Sequence, residues 1–179
     1  ADSSDGALTS NTATVTVTVV NTNTAPTLTT INTLTGATED TAFTISHATL
    51  LAASNAADVD GTTPQFRIEA VSSGTLTKGG VTVTAGSTTF ASGESLVWSP
   101  AANANGALAA FTVKAFDGAL YSTTAVQVNV SVTAVNDTPT LTSVTTISGA
   151  TEDTAYTLPF ATLQGAADEA DVDGGTPYF

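Results

Sequence analysis

Valine and polar residues alternate along this chain with a period of two. In Thr14-Val15-Thr16-Val17-Thr18-Val19, and again in Val126-Gln127-Val128-Asn129-Val130-Ser131-Val132, apolar side chains fall on one side and polar ones on the other. This pattern predicts strands with one buried and one wet face. Phe66-Arg67-Ile68-Glu69-Ala70 and Phe111-Thr112-Val113-Lys114-Ala115 alternate likewise, and shorter runs at 41–45, 81–84 and 95–98 predict further strands. Turn pairs separate them: Ser73-Gly74, Gly79-Gly80, Ala85-Gly86, Asn105-Gly106 and Asp117-Gly118. Only residues 48–54 read as a short helical segment, ahead of Asp58. Short strands, regular turns and no long helix predict an all-β fold of antiparallel, Ig-like β-sandwich type.

The pattern is also written twice. Ala37-Thr38-Glu39-Asp40-Thr41-Ala42-Phe43 returns as Ala150-Thr151-Glu152-Asp153-Thr154-Ala155-Tyr156, an offset of 113, and 19 of 30 aligned positions from there are identical. Asn23-Thr24-Ala25-Pro26-Thr27-Leu28 returns as Asn136-Asp137-Thr138-Pro139-Thr140-Leu141 at the same offset. A period of about 113 residues is the size of a whole small sandwich and predicts a tandem array of domains. On this reading residues 1–25 are the C-terminal strands of one repeat, 26–138 a complete repeat, and 139–179 the N-terminal part of the next. The chain then reads as a window on a longer protein. Pro26 and Pro139 follow the Val-rich strands directly and mark short, stiff joints at 23–26 and 136–139.

Composition narrows the function classes. Three basic residues (Arg67, Lys78, Lys114) stand against sixteen acidic ones, a net charge of −13. Nucleic-acid binding needs basic patches, and anionic membrane surfaces would repel such a chain, so neither is expected as a partner. The absence of Cys excludes disulfides and thiolate sites. No apolar run approaches the ~18 residues of a membrane span.

The carboxylates recur in step with the repeat. Glu39-Asp40 returns as Glu152-Asp153, Asp58-Val59-Asp60-Gly61 as Asp171-Val172-Asp173-Gly174, and Asp5-Gly6 foreshadows Asp117-Gly118, while Asn136-Asp137 occupies the later joint. Several carboxylates beside glycines, with no softer ligand, suit Ca2+ and its six to eight oxygens. The same residues also suit turns shaped by Asp side chains bonding to backbone. Spacing leaves both readings open.

The segment Ala115-Phe116-Asp117-Gly118, continuing through Ser122-Thr123-Thr124 and Val128-Asn129-Val130-Ser131-Val132 to Val135-Asn136-Asp137-Thr138-Pro139, resembles the last strands and linker of a cadherin repeat. Glu39-Asp40-Thr41 and Ser99-Pro100-Ala101-Ala102-Asn103-Ala104-Asn105-Gly106 resemble the cadherin-like tandem repeats of giant bacterial surface adhesins. The likeness covers essentially the whole chain. It implies an extracellular or cell-surface, secreted β-sandwich with Ca2+ between successive domains. Carried over by position, Asp58, Asp60 and Asp117 would face the 23–26 joint, and Glu39, Asn136, Asp137, Asp171 and Asp173 the 136–139 joint. Ser99-Pro100-Ala101 stands where cadherins carry an Asp-Arg-Glu element, and the earlier joint has Asn23-Thr24 in place of Asn-Asp. Fewer anionic ligands there mean weaker Ca2+ binding, or none.

His47, the single histidine, aligns with Phe160 and reads as packing. Trp98 reads as a core filler. No Ser–His–acid set, phosphate loop or acid pair in an apolar pocket is present, so catalysis is not expected. The expected role is a structural module of a long extracellular repeat protein: stalk, fibre or adhesin. Its partners would be adjacent repeats of the same or neighbouring chains, and a cell-surface or glycan target. Two alternatives are a subunit of an ordered extracellular filament or sheath, completed by strands from neighbouring chains, and an accessory glycan-binding module of a secreted enzyme.

Overall fold

The computed structural model describes residues 13–20 and 22–175. Among these described residues, nine strands and two short helices run in the order β1 (Leu34–Thr38), β2 (Phe43–Ser46), α1 (His47–Ala53), β3 (Gln65–Val71), β4 (Thr75–Lys78), β5 (Val81–Thr82), β6 (Thr89–Phe90), β7 (Ser95–Ser99), β8 (Gly106–Phe116), β9 (Val126–Thr133) and α2 (Phe160–Ala166). The strands form two sheets, a five-stranded one ordered β1-β9-β8-β3-β6 and a four-stranded one ordered β2-β7-β4-β5. Every pairing is antiparallel except one: β1 lies parallel to β9, with Leu34 opposite Val130 and Thr38 opposite Thr133.

Alternation decides which side chains meet between the sheets. Phe66 and Ile68 of β3, Phe111, Val113 and Ala115 of β8, and Val128, Val130 and Val132 of β9 all point inward and are buried. Ile45, Leu76, Leu96 and Trp98 face them from the other sheet. Each fully buried large aliphatic or aromatic side chain stabilises the sandwich by ~1.5–3 kcal/mol relative to exposure. Trp98 fills the centre and its indole N–H donates to Ser73 O at 2.9 Å. The turn beside it needs Gly74, whose φ is +65° and where a Cβ would stand 2.2 Å from Ser99 O.

The helical segment is α1, capped by Ser46, whose hydroxyl accepts from Thr49 N–H at 3.0 Å. His47 is buried at its first turn between the rings of Phe66 and Phe90, and its Nε2–H donates to Pro64 O at 2.8 Å. It packs, as Phe at the matching position suggested, and carries one internal hydrogen bond besides.

One expected strand is absent. Residues 13–20 take no regular structure, and Val15, Val17 and Val19 are 82 %, 76 % and 86 % exposed. Alternation makes a face but not a ladder. The matching β9 is held between β8 and β1, and no such neighbours stand beside 13–20 among the described residues. Three strands carry no alternation signal and emerge only in the fold: β1, β4 and β6.

Local geometry recurs with the sequence. Thr27 N–H bonds Ala57 O at 2.8 Å and Thr140 N–H bonds Ala170 O at 2.8 Å. Asn55 Oδ1 accepts from the N–H groups of Thr29 and Thr30 at 3.0 and 2.9 Å, and Asp168 Oδ1 from those of Thr142 and Ser143 at 2.9 and 2.8 Å. Leu28 and Ile45 are core residues, whereas their counterparts Leu141 and Leu158 are 50 % and 42 % exposed.

Candidate metal centre

Three carboxylates converge where the sandwich passes into the following segment. Glu39 follows β1, Asp137 follows β9, and Asp173 lies in the Asp-Val-Asp-Gly turn. One oxygen from each lies within 4.8 Å of the others. Sheet pairing causes the first approach. Because β1 and β9 run parallel and remain paired through Ala37–Val132 to Thr38–Thr133, their C-terminal ends arrive together, and Glu39 N–H donates to Thr133 O at 3.0 Å.

Glu39 is only 2 % exposed, which for a carboxylate demands partners. One oxygen accepts from the backbone N–H of Val135 and the other from Asn105 Nδ2 at 3.0 Å. Asp40 beside it takes a left-handed backbone (φ 54°), and its Oδ1 accepts from Asn103 N–H at 3.0 Å. Asp173 is held by an Asx-type turn in which its own N–H donates to Asp171 Oδ1 at 2.9 Å. Its carboxylate in turn accepts from Asp137 N–H at 2.6 Å. Asn136 is exposed and its amide donates to Asp137 O at 3.1 Å.

Asp137 is the strained member. Its Oδ2 is buried without a hydrogen-bond partner. Loss of solvent, then repulsion from Asp173, Asp40, Glu39 and Asp171, pushes its carboxyl above the ordinary carboxylate range. Beside it opens a cleft of about 430 Å³, lined by Asn103, Asp137, Thr138, Thr140 and Asp171 among others. A hard divalent cation fits this donor set: anionic oxygens from three chain segments, one of them orphaned, with room beside them for water ligands. Glu39, Asp137 and Asp173 would hold it, with Asp40 and Asp171 close enough to act on the Asp137 carboxyl. Bound there, it would offset the repulsion among these groups.

The 23–26 joint repeats the backbone and changes the side chains. Thr24 N–H donates to Asp60 Oδ2 at 2.6 Å and Asp60 N–H to Asp58 Oδ1 at 2.8 Å, while Asp58 Oδ2 is buried and unpartnered. Asp117 Oδ2 accepts from Asn23 Nδ2 at 3.0 Å, and its Oδ1 from the N–H groups of Ala119 and Leu120, each at 2.7 Å. The bonds from Leu120 and Ala119 hold the Asp117 carboxyl below its ordinary range. Asp58, Asp60 and Asp117 thus all lie at the joint expected for them. Each carboxylate is engaged by neutral donors, and Thr24 stands where the later joint has Asp137. Close behind, Arg67 lies 3.6 Å over the ring of Tyr121, which stacks on Phe116 at 4.4 Å.

Asp40 stands in the recurring Glu39-Asp40 motif but is not among the expected ligands, and Asn105 is not singled out as a partner of Glu39. Asn105-Gly106 reads as a turn pair, and nothing in its spacing points at Glu39, which lies 66 residues away.

No curated protein and no solved structure matches the chain. Among the described residues no helix is long and apolar enough to cross a membrane. A model of the cadherin-like domain family matches residues 22–133, which takes in all nine strands and Glu39. A two-sheet β-sandwich whose first and last strands lie side by side, with carboxylates gathered at its exit, agrees with that match, and the chain belongs to the cadherin-like domain family.

Proposed function

We propose that this chain is a structural module of a long extracellular repeat protein, a stalk, fibre or adhesin, whose joint at 136–139 is stiffened by Ca2+. One observation carries the reading. The three-residue span from Val135 to Asp137 is gripped from both sides, its first N–H by Glu39 and its last by Asp173, at a cluster that contains an orphaned carboxylate oxygen. Without a cation the grip opposes like charges. With one, the carboxylates on either side of the joint share a counter-ion, and the following segment is fixed in direction. Ligand charge and site openness suit the ~10⁻⁴–10⁻³ M affinities of extracellular modules. The 23–26 joint has neutral donors on Asp60 and Asp117 and Thr24 in place of Asp137, so it offers a cation fewer anionic ligands, although Asp58 Oδ2 is unpartnered there too.

Calorimetric titration of the chain with CaCl2, with small-angle scattering in Ca2+ and in EDTA, tests this. Heat with one site per chain and a longer, stiffer particle in Ca2+ is the expected result. No heat and identical scattering curves overturn it.

A second reading is supported by the exposed stripe of Val15, Val17 and Val19. Backbone pairing with strands of a neighbouring chain would draw 13–20 into a sheet whose apolar face these valines line, as in a filament or sheath. The glycan-binding reading has less behind it, since Trp98, its best platform, is wholly buried.

A further inference from the structure

We infer that Asn105 is a positioning residue for the joint. Its amide orients the buried Glu39 carboxylate and, through it, fixes the linker at Val135 before any cation arrives. The inference rests on the proposed cation joint for its consequence, and on hydrogen bonding alone for its mechanism.

Asn105 precedes β8, and Gly106 is paired with Val132 near the end of β9. The asparagine is therefore anchored next to the strand that delivers the linker. Its Nδ2 lies 3.0 Å from Glu39 Oε2. The amide orientation is dictated by chemistry, because a carboxylate only accepts and the amide oxygen turned toward it would repel. Glu39 has two carboxylate oxygens, and the second accepts from Val135 N–H. Turning the carboxylate about its axis would exchange or break both bonds together, so the Asn105 bond sets the plane in which Val135 is gripped.

Neighbouring Asn103 acts differently. It reaches Asp40 through its backbone N–H, a bond that most residues can supply. At position 103 the side chain matters for the left-handed backbone (φ 59°), whereas at 105 the side chain itself makes the bond. Supporting bonds to a metal-ligating carboxylate typically alter metal affinity 10–100-fold, and here the support also acts in the metal-free protein.

The test compares the intact chain with Asn105→Ala and the near-isosteric Asn105→Asp. Amide hydrogen exchange at Val135 is followed in EDTA and in CaCl2, with Ser122 N–H, bonded to Ala115 O at 2.9 Å in the sandwich, as a reference for global opening. In EDTA, Asn105→Ala should speed exchange at Val135 about 10-fold, with Ser122 unchanged, and weaken Ca2+ by about 10-fold or more. Asn105→Asp places a second carboxylate against Glu39. It should loosen Val135 in EDTA and regain wild-type protection in CaCl2, a rescue that a mere packing role would not produce. Unchanged Val135 exchange in both variants overturns the inference, as does loosening of Val135 only in step with Ser122. If the wild-type chain binds no Ca2+ while both variants still loosen Val135 alone, the cation reading fails and the positioning role stands.

Discussion

The backbone N–H of Asp137 donates to the carboxylate of Asp173 at 2.6 Å, the same length as the bond from Thr24 to Asp60 at the matching place 113 residues earlier. This backbone bond is alike at the two joints, while the side chain on its donor residue changes from Thr24 to Asp137 and only the later joint has Glu39 beside it. Cation affinity at the later joint should therefore depend on the Asp137 carboxylate rather than on the local fold. Asp137→Thr gives the later joint the earlier joint's side chain. Ca2+ affinity should drop at least ~10-fold in calorimetry, since ligand charge count sets affinity in such sites. The melting temperature in EDTA should stay level or rise, because the substitution removes an unpartnered buried oxygen.

Glu39→Ala should destabilise the sandwich even without metal. It removes the charged acceptor of the Val135 N–H and the Asn105 amide; both donors lie on exposed residues that water can reach, so the loss should be about 1 kcal/mol, near the net value of an ordinary hydrogen bond. Urea unfolding in EDTA should show a lower midpoint at unchanged slope. An unaltered midpoint would mean that water replaces the carboxylate at no cost.

Trp98→Ala should be the most damaging of the core truncations, at about 3–5 kcal/mol, since the side chain is wholly buried and its N–H is bonded to Ser73 O. Gly74→Ala acts on the same corner by another route. The added methyl meets Ser99 O and the backbone is in the left-handed region, so a loss of more than ~1 kcal/mol is expected in the same urea assay.

Acid should loosen the second segment before the first at one defined place. Asp168 is held well below the ordinary carboxylate range by bonds from Thr142 and Ser143, the largest from the Thr142 hydroxyl. A depressed native pKa means that this contribution is complete above the unfolded value of about 3.9 and fades as pH falls below it. Exchange protection at Thr142 and Ser143, corrected for the intrinsic pH dependence, should decline on acidification through that region. Thr29 and Thr30 bond to Asn55 instead. Asn55 carries no titrating group, so their protection should hold over the same range.

Much of the sandwich is legible in the sequence because β3, β8 and β9 each bury one face, and half-burial writes itself as alternation. β1 is not, because Gly36 sits at φ 98° and the register shifts between Leu34 and Ala37, which breaks the period. β6 has two residues, too few for any period. The run at 14–19 misleads for the opposite reason, since a perfect period cannot supply the neighbouring strands. At the joint, recurrence of charged residues exposes Glu39 and Asp173, and the place of Asn136-Asp137 directly after the Val-rich strand exposes Asp137. Asn105 is neutral, lies just ahead of β8 and acts across 66 residues, so only the three-dimensional pairing of β8 with β9 brings it into view.

The parallel pairing of β1 with β9, the single one among the described residues, determines how the domain meets tension. Pulling the start of β1 one way and the end of β9 the other drags the two strands past each other along their length. The bonds between them are then loaded in shear, all at once, instead of unzipping singly. In a protein stretched between two anchors, this pair is the clasp that must slip before the sandwich can open.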